Sequence, residues 1–237
     1  MESINYIDKR IKKCYFDKKG HGFIATNDIP KNTIILKEYP SFLINNYKQS
    51  YFEIFELIYT ILISDNVILK KKFMNYLPHK VNNNFTIYIK SIKTTFIDLE
   101  KNNKKLYQYL TSNYKIDEII LFCLKYICNA FNFFDKGPAI LLTGSIFNHS
   151  CNPNIIFGKK NDIMCFFTIR DIKKDEELCN SYTNIFKSTK YRKLHLLSQY
   201  GFECDCDRCL KNKKIPELFD LINEIKINNK DMKFNNI

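Results

Sequence analysis

Cys204, Cys206 and Cys209 form a C-x-C-x-x-C run, and this run constrains the chain more than any other feature of its sequence. It sets three soft sulfur ligands within reach of one ion and leaves a tetrahedral site one ligand short, so the fold must deliver the fourth from elsewhere. Cys151 is the candidate, with His149 and His195 as rivals. It lies in Asn148-His149-Ser150-Cys151-Asn152-Pro153-Asn154, which places polar side chains, a thiol and a helix-breaking proline directly after an apolar run. Nine cysteines is an odd number, and their clustering fits a reducing compartment and a metal site better than a disulfide framework. Cys123 and Cys128 fall in an apolar helical pattern and Cys165 in a strand pattern, where core packing is the expectation.

The rest of the chain alternates between strand and helix signals. Short strands are expected over 14–16, 23–25, 33–38 and 42–44, punctuated by Gly20-His21-Gly22 as a tight turn or a close approach of the backbone, and by Pro40. Over 51–134 the period becomes helical. Its best helix starts at Asp117, an N-cap candidate, and carries Ile116, Ile119, Ile120, Cys123, Leu124, Ile127 and Phe131 on one face, with Asn129 and Asn132 on a neighbouring one. After Gly137-Pro138 strands return over 139–142, 155–157, 163–168 and 177–180. Helices are expected over 189–197 and 216–226, before a polar, frayed tail. A strand-rich front, a helical middle and a strand-rich back describe an α+β protein with helices inserted between the strand-forming ends of the chain.

The N-H-S-C-x-P-N stretch, the later Glu176-Glu177-Leu178-Cys179-Asn180-Ser181-Tyr182, and the cysteines behind Tyr200-Gly201-Phe202 resemble the C-terminal half of SET-domain protein lysine methyltransferases. In order and spacing they are most similar to the SET-and-MYND branch. The resemblance covers about residues 13–210. It implies a SET-domain fold of several small β-sheets with a pseudoknot, in which the N-H-S-C segment passes beside the loop before the catalytic tyrosine. It divides the chain into one SET domain over 1–210 and a helical tail over 211–237. Within the domain it expects N-terminal strands (13–45), a helical insert (about 50–134), a C-terminal half (137–183) and a zinc-binding post-SET segment (198–210).

The same resemblance implies the chemistry. Tyr182 would be catalytic, and S-adenosylmethionine would be bound by Gly20, His21, Gly22, Asn129, Asn148, His149, Tyr182 and Phe202. Tyr200 and Phe202 would wall the channel for the substrate lysine. Cys151, Cys204, Cys206 and Cys209 would hold one structural Zn²⁺, a clamp for a tail with little core of its own. The implied partner is a protein presenting a lysine, histone tails among them, with a role in chromatin regulation. The alternative is a catalytically silent SET module that binds a protein or chromatin surface. One departure stands out: over 51–134 only Cys123 and Cys128 occur, too few for the ligands of a MYND zinc finger.

Composition bounds these expectations. With 237 residues and 45% hydrophobic content the chain can bury one substantial core and is expected to act as a monomer. Neither a charge-free apolar run of spanning length nor a signal-like N-terminus is present, so a soluble protein of nucleus or cytoplasm is expected, neither secreted nor transmembrane. The formal charge of +12 favours acidic partners, but the basic residues are dispersed and match no nucleic-acid-binding motif, so sequence-specific nucleic-acid binding is not expected. The Lys70-Lys71-Lys72 run is expected to form a solvated face.

Overall fold

Alternating apolar and polar side chains at the N-terminus describe strands buried on one face. The computed structural model, which describes residues 4–44, 48–212, 215 and 217–234, contains them. Strands β1 (Ile4–Ile7), β2 (Ile11–Phe16), β3 (Gly20–Ala25), β4 (Ile34–Glu38) and β5 (Phe42–Leu43) come first. Helices α1 (Glu53–Leu62), α2 (Val67–Met74), α3 (Thr86–Asn102), α4 (Lys104–Asn113) and α5 (Ile116–Asn129) follow. Strands return as β6 (Ala130–Asn132), β7 (Pro138–Ile140), β8 (Asn148–His149), β9 (Ile155–Lys160), β10 (Ile163–Thr168) and β11 (Glu177–Asn180). The chain ends with α6 (Thr189–Tyr200), the single turn α7 (Asp207–Leu210), α8 (Glu217–Asn228) and β12 (Lys233–Phe234). Residue 45, where the N-terminal strand segment was expected to end, and Pro216, the expected start of the last helix, lie outside the described residues.

The backbone divides into two units, Met1–Pro40 with Thr143–Leu196 and Glu203–Ile237, and Ser41–Leu142 with Leu197–Phe202. The first unit holds two sheets, with strand orders β1-β4-β10-β9-β12 and β2-β3-β11-β8. β9 and β10 are in antiparallel register from Ile163 opposite Lys160 to Thr168 opposite Ile155. The expected turn at Gly20-His21-Gly22 is instead the first half of β3, paired with β2 so that Gly20 faces Phe16 and Gly22 faces Cys14. The hairpin turn lies one step earlier, at Asp17–Lys19, because extending the ladder satisfies backbone groups that a turn at the glycines would leave to solvent.

The tail is better anchored than its sequence suggests. Leu218, Ile222 and Ile225 recur on one face of α8 and pack with Ile156, Cys165, Phe167, Ile169 and Ile185 in a buried cluster. Each such side chain contributes about 1.5–3 kcal/mol of burial. Lys233 and Phe234, expected to fray, pair with Lys159 and Gly158 of β9. The Phe234 ring lies where a Cβ on Gly158 would stand, so the edge strand seats on a position without a side chain.

The second unit is built on its helices. Phe55, Ile58 and Leu62 of α1 cluster with Leu99 of α3, Leu106 and Leu110 of α4, and Ile119, Ile120, Cys123 and Leu124 of α5. Lys115 rather than Asp117 occupies the N-cap of α5. A lysine ammonium has no acceptor to offer the helix, and the reciprocal bond carries the start: the Glu118 carboxylate accepts the Lys115 N–H at 2.8 Å. α5 also ends earlier than its apolar period predicts. Ala130 is extended, at φ −77° and ψ 140°, and Phe131 and Asn132 belong to β6, which pairs with β7. No helix among the described residues is long and apolar enough to cross a membrane.

Candidate active site and metal centre

The first unit brings two distant segments side by side. β8 runs parallel to β11, with Asn148 opposite Cys179 and His149 opposite Asn180, and the Ser150 N–H extends the pairing to the Asn180 carbonyl at 2.9 Å. Asn154 locks the two together. Its Oδ1 accepts the Cys179 N–H at 2.8 Å, its Nδ2 donates to the Glu177 carbonyl at 2.8 Å and the Glu176 carboxylate at 3.0 Å, and its own N–H donates to the Cys179 carbonyl at 3.1 Å. Upstream, the buried Glu38 carboxylate accepts the N–H groups of Thr143 and Gly144 at 2.9 and 2.7 Å, which holds the turn leading into β8. This is the knot that the resemblance predicted, seen here as hydrogen bonds.

Asn148 and His149 are both buried in it. Asn148 Nδ2 donates to Glu177 Oε1 at 3.0 Å, and Lys19 Nζ donates to the other oxygen of the same carboxylate at 2.6 Å. A Cβ at Gly22 would collide with Asn148 Nδ2 and with the Phe16 ring, so the close approach expected around these glycines is real at Gly22. His21, opposite Tyr15, is exposed, and the two rings meet edge-on at 5.6 Å. The His149 ring accepts the Tyr182 N–H on Nδ1 at 3.0 Å, which leaves its proton on Nε2, 3.3 Å from Cys151 Sγ. Burial pushes this imidazole down to about 3, so it is neutral. Tyr182 donates its phenol hydrogen to the Phe147 carbonyl at 2.6 Å.

The structure also brings the four cysteines together. The Sγ atoms of Cys151, Cys204, Cys206 and Cys209 all lie within 4.8 Å of one another, Cys151 being 3.9 Å from Cys204 and 3.5 Å from Cys209. A tetrahedral zinc site with sulfur at about 2.3 Å needs sulfurs about 3.8 Å apart, so spacing and donor chemistry both fit. Cys151 completes this set of ligand atoms; His149 stands behind it, and His195 stacks on Tyr191 at 6.0 Å between ring centres. Hydrogen bonds from Cys151 and Cys204 hold the Cys206 thiol well below its ordinary range, while the bond to Cys204 pushes Cys151 up. Four crowded thiolates repel one another, and a divalent cation is what lets all of them ionise.

The other predicted residues lie in the second unit. Asn129 Nδ2 donates to the Leu77 and Lys125 carbonyls, both at 2.8 Å, so its amide hydrogens hold backbone. Tyr200 is the last residue of α6 and Phe202 lies two residues on, their rings 6.5 Å apart, and burial pushes the Tyr200 phenol up. Between them Gly201 sits at φ +78°, where a Cβ would strike the Phe85 ring. Sequence reasoning assigned nothing to Glu38, Asn154 or Glu177. Asn154 and Glu177 carried a signal, the first as the last residue of the N-H-S-C-x-P-N stretch and the second within the Glu176–Tyr182 segment; Glu38 looks like any other glutamate until its partners are seen.

Comparison with known proteins agrees with this geometry. The family described as SET domain matches residues 20–183. The SET domain-containing protein L678 of Acanthamoeba polyphaga mimivirus is 41% identical over 209 residues, which span 88% of this chain and 80% of that protein. The N-lysine methyltransferase SMYD2-A of Danio rerio is 33% identical over 92 residues, 37% of this chain but only 21% of the relative's own length. Among solved structures, the SET domain of LSMT bound to methyllysine and AdoHcy superposes with a TM-score of 0.64 at 14% identity, over 87% of this chain and 55% of that one. A family match along more than half of the sequence, and a viral relative aligned over four fifths of its own length, identify the chain as a member of the SET domain family.

Proposed function

We propose that this protein transfers methyl groups from S-adenosylmethionine to the side-chain amine of lysine residues in proteins, and that its four cysteines hold one structural zinc ion. The observation that carries the reading is the Tyr182 phenol held on the Phe147 carbonyl, at the step immediately before Asn148 and His149. When bound, S-adenosylmethionine supplies a sulfonium methyl for an amine to attack, a reaction in which positive charge moves from sulfur to nitrogen.

The chain's part is to position and to dry. Asn148 and Gly22 are packed against each other, so the amide and the β3 backbone form one rigid edge for a polar ligand. The neutral His149 ring fixes the Tyr182 backbone through Nδ1. Tyr182, held at its oxygen, presents a fixed dipole rather than a base. A lysine amine at its reference value near 10.4 must give up about 4.6 kcal/mol of protonation preference at pH 7, which a dry aromatic channel favours. Tyr200 and Phe202 as its walls, Asn129, Gly20 and His21 as cofactor contacts, and Phe202 in both roles are assigned by the resemblance alone. Asn148, His149, Gly22 and Tyr182 have the geometry above as further support.

The test is transfer of labelled methyl groups from S-adenosylmethionine to histones and to proteins of a lysate, with calorimetric titration of the cofactor alongside. Binding and transfer that vanish together would leave the silent, surface-binding module as the better reading.

A further inference from the structure

Arg192 is only 2% exposed on α6, and among the described residues no carboxylate comes within ion-pair distance of it. Nη1 donates to the Lys187 carbonyl, and Nη2 donates to Thr189 Oγ1 at 3.2 Å and points at Cys209 Sγ at 3.8 Å. Nε has no acceptor among the described residues. A guanidinium is always charged. A carbonyl and a hydroxyl satisfy some of its hydrogens but do not cancel its charge, and an uncompensated buried ion is strongly unfavourable. Something in contact with Arg192 must be negative, and among the described residues the only candidates beside it are sulfurs.

We propose that Arg192 is the buried countercharge of the four-cysteine centre, holding the Cys209 thiolate through Nη2 and keeping the cluster's excess negative charge inside the protein. The inference rests on the metal reading above. Four thiolates on a divalent ion leave two negative charges. Arg192 and Arg208, whose Nη1 donates to the Cys151 carbonyl at 2.7 Å, bring two positive ones. On a second side of the cluster the Nε2–H of His149 faces Cys151. Asp205 and Asp207, the nearby acids, are exposed, and Asp207 pairs with Lys211 at 3.0 Å, so water and lysine screen them. Cysteines 151, 204, 206 and 209 and Arg192 all belong to the first unit, so the arrangement is internal to it. Its effect is on the sulfurs: a thiolate with a cation at its back is a weaker nucleophile, and it gives up its metal less readily to protons or alkylating agents.

The experiment compares wild type, Arg192→Met and Arg192→Lys as zinc-loaded full chains. A chromophoric chelator reports the rate at which zinc leaves in the presence of a thiol-alkylating reagent, and cobalt-substituted samples report the thiolate-to-metal absorption band. Loss of an outer-shell partner changes metal affinity by roughly 10–100-fold, so Arg192→Met is expected to release zinc at least about tenfold faster. Its cobalt band is expected at lower energy, because thiolate electrons without a neighbouring cation are less tightly held. Arg192→Lys, which keeps the charge and loses the planar fork, is expected within about threefold of wild type with an unshifted band. Wild-type release by Arg192→Met, or equally fast release by both variants, would show that the side chain acts through packing or shape and overturn the inference. Should Arg192→Met fail to fold, Arg192→Lys decides alone by the same two limits. A wild-type protein that holds neither zinc nor cobalt brings down the metal reading and this inference with it, whereas a metal-bearing wild type with an insensitive Arg192→Met overturns this inference only.

Discussion

Tyr182 and Phe147 are joined by a 2.6 Å hydrogen bond from phenol to backbone carbonyl. The bond ties the segment after β11 to the residue immediately before β8. Replacing Tyr182 by Phe removes the oxygen and keeps the ring. Turnover is expected to fall at least about a hundredfold, or roughly 2.7 kcal/mol of transition-state stabilisation, with cofactor affinity changed far less because the ring is kept. Leaving the Phe147 carbonyl unpaired adds a stability cost of about 1–3 kcal/mol. Single-turnover transfer and calorimetry separate the two effects, and a Tyr182→Phe protein that methylates at the wild-type rate would make Tyr182 a packing residue.

Cys151→Ser is expected to lose the metal, because the three remaining sulfurs come from one short loop and the fourth is buried on the other segment. Hydrogen exchange should quicken over the 203–210 loop. It should leave α8 protected, since Leu218, Ile222 and Ile225 anchor that helix independently. Metal analysis after dialysis checks the first part; a full equivalent of zinc retained by the variant would move the fourth ligand to a histidine.

At Gly22 even a methyl group must displace Asn148 Nδ2 or the Phe16 ring. Gly22→Ala is expected to destabilise by about 1–3 kcal/mol through overpacking, and to weaken cofactor binding because Asn148 moves. Urea unfolding and cofactor titration measure the two. No change in either would mean that the strand yields freely at this point.

Asn148→Ala and His149→Ala are expected to weaken S-adenosylmethionine binding, while Lys71→Gln and Lys72→Gln are not. Lys71 and Lys72 are exposed, but Lys70 is half-buried and its ammonium caps the Leu62 carbonyl at 2.9 Å, so only the first two serve as controls for a solvated face. Equal losses across both sets in a calorimetric titration would point to general destabilisation.

Burial pushes the Glu176 carboxyl up, but hydrogen bonds from Arg170, from the Lys173 N–H and from Asn154 outweigh it and hold the group below its ordinary value of 4.5. A carboxylate depressed on folding stabilises the protein above its unfolded value and loses that contribution as pH falls through the folded one. Glu176→Gln should therefore be less stable than wild type at pH 7, with the gap narrowing once the pH drops below 4.5. Thermal melts of both proteins across that range test it, and a gap that stays constant with pH would assign the effect to hydrogen bonding alone.

What the sequence determined by itself was whatever is written in consecutive residues. The C-x-C-x-x-C spacing announces three candidate ligands in one loop, and the strands over 163–168 and 177–180 match β10 and β11 residue for residue. The intact N-H-S-C-x-P-N and Tyr182 segments identified the family because their residue types and order are local. Tertiary structure decided the rest, because the deciding partners are far apart in the chain. Gly20-His21-Gly22 is a strand because β2 supplies hydrogen bonds opposite it; α5 stops at Asn129 because β7 takes up the next residues; and Lys233 and Phe234 are ordered because β9 offers an edge at Gly158. The same holds for Glu38, Asn154 and Glu177. A buried carboxylate or amide is tolerated only where N–H and C=O groups converge on it, and that convergence exists only once β8 and β11 lie side by side.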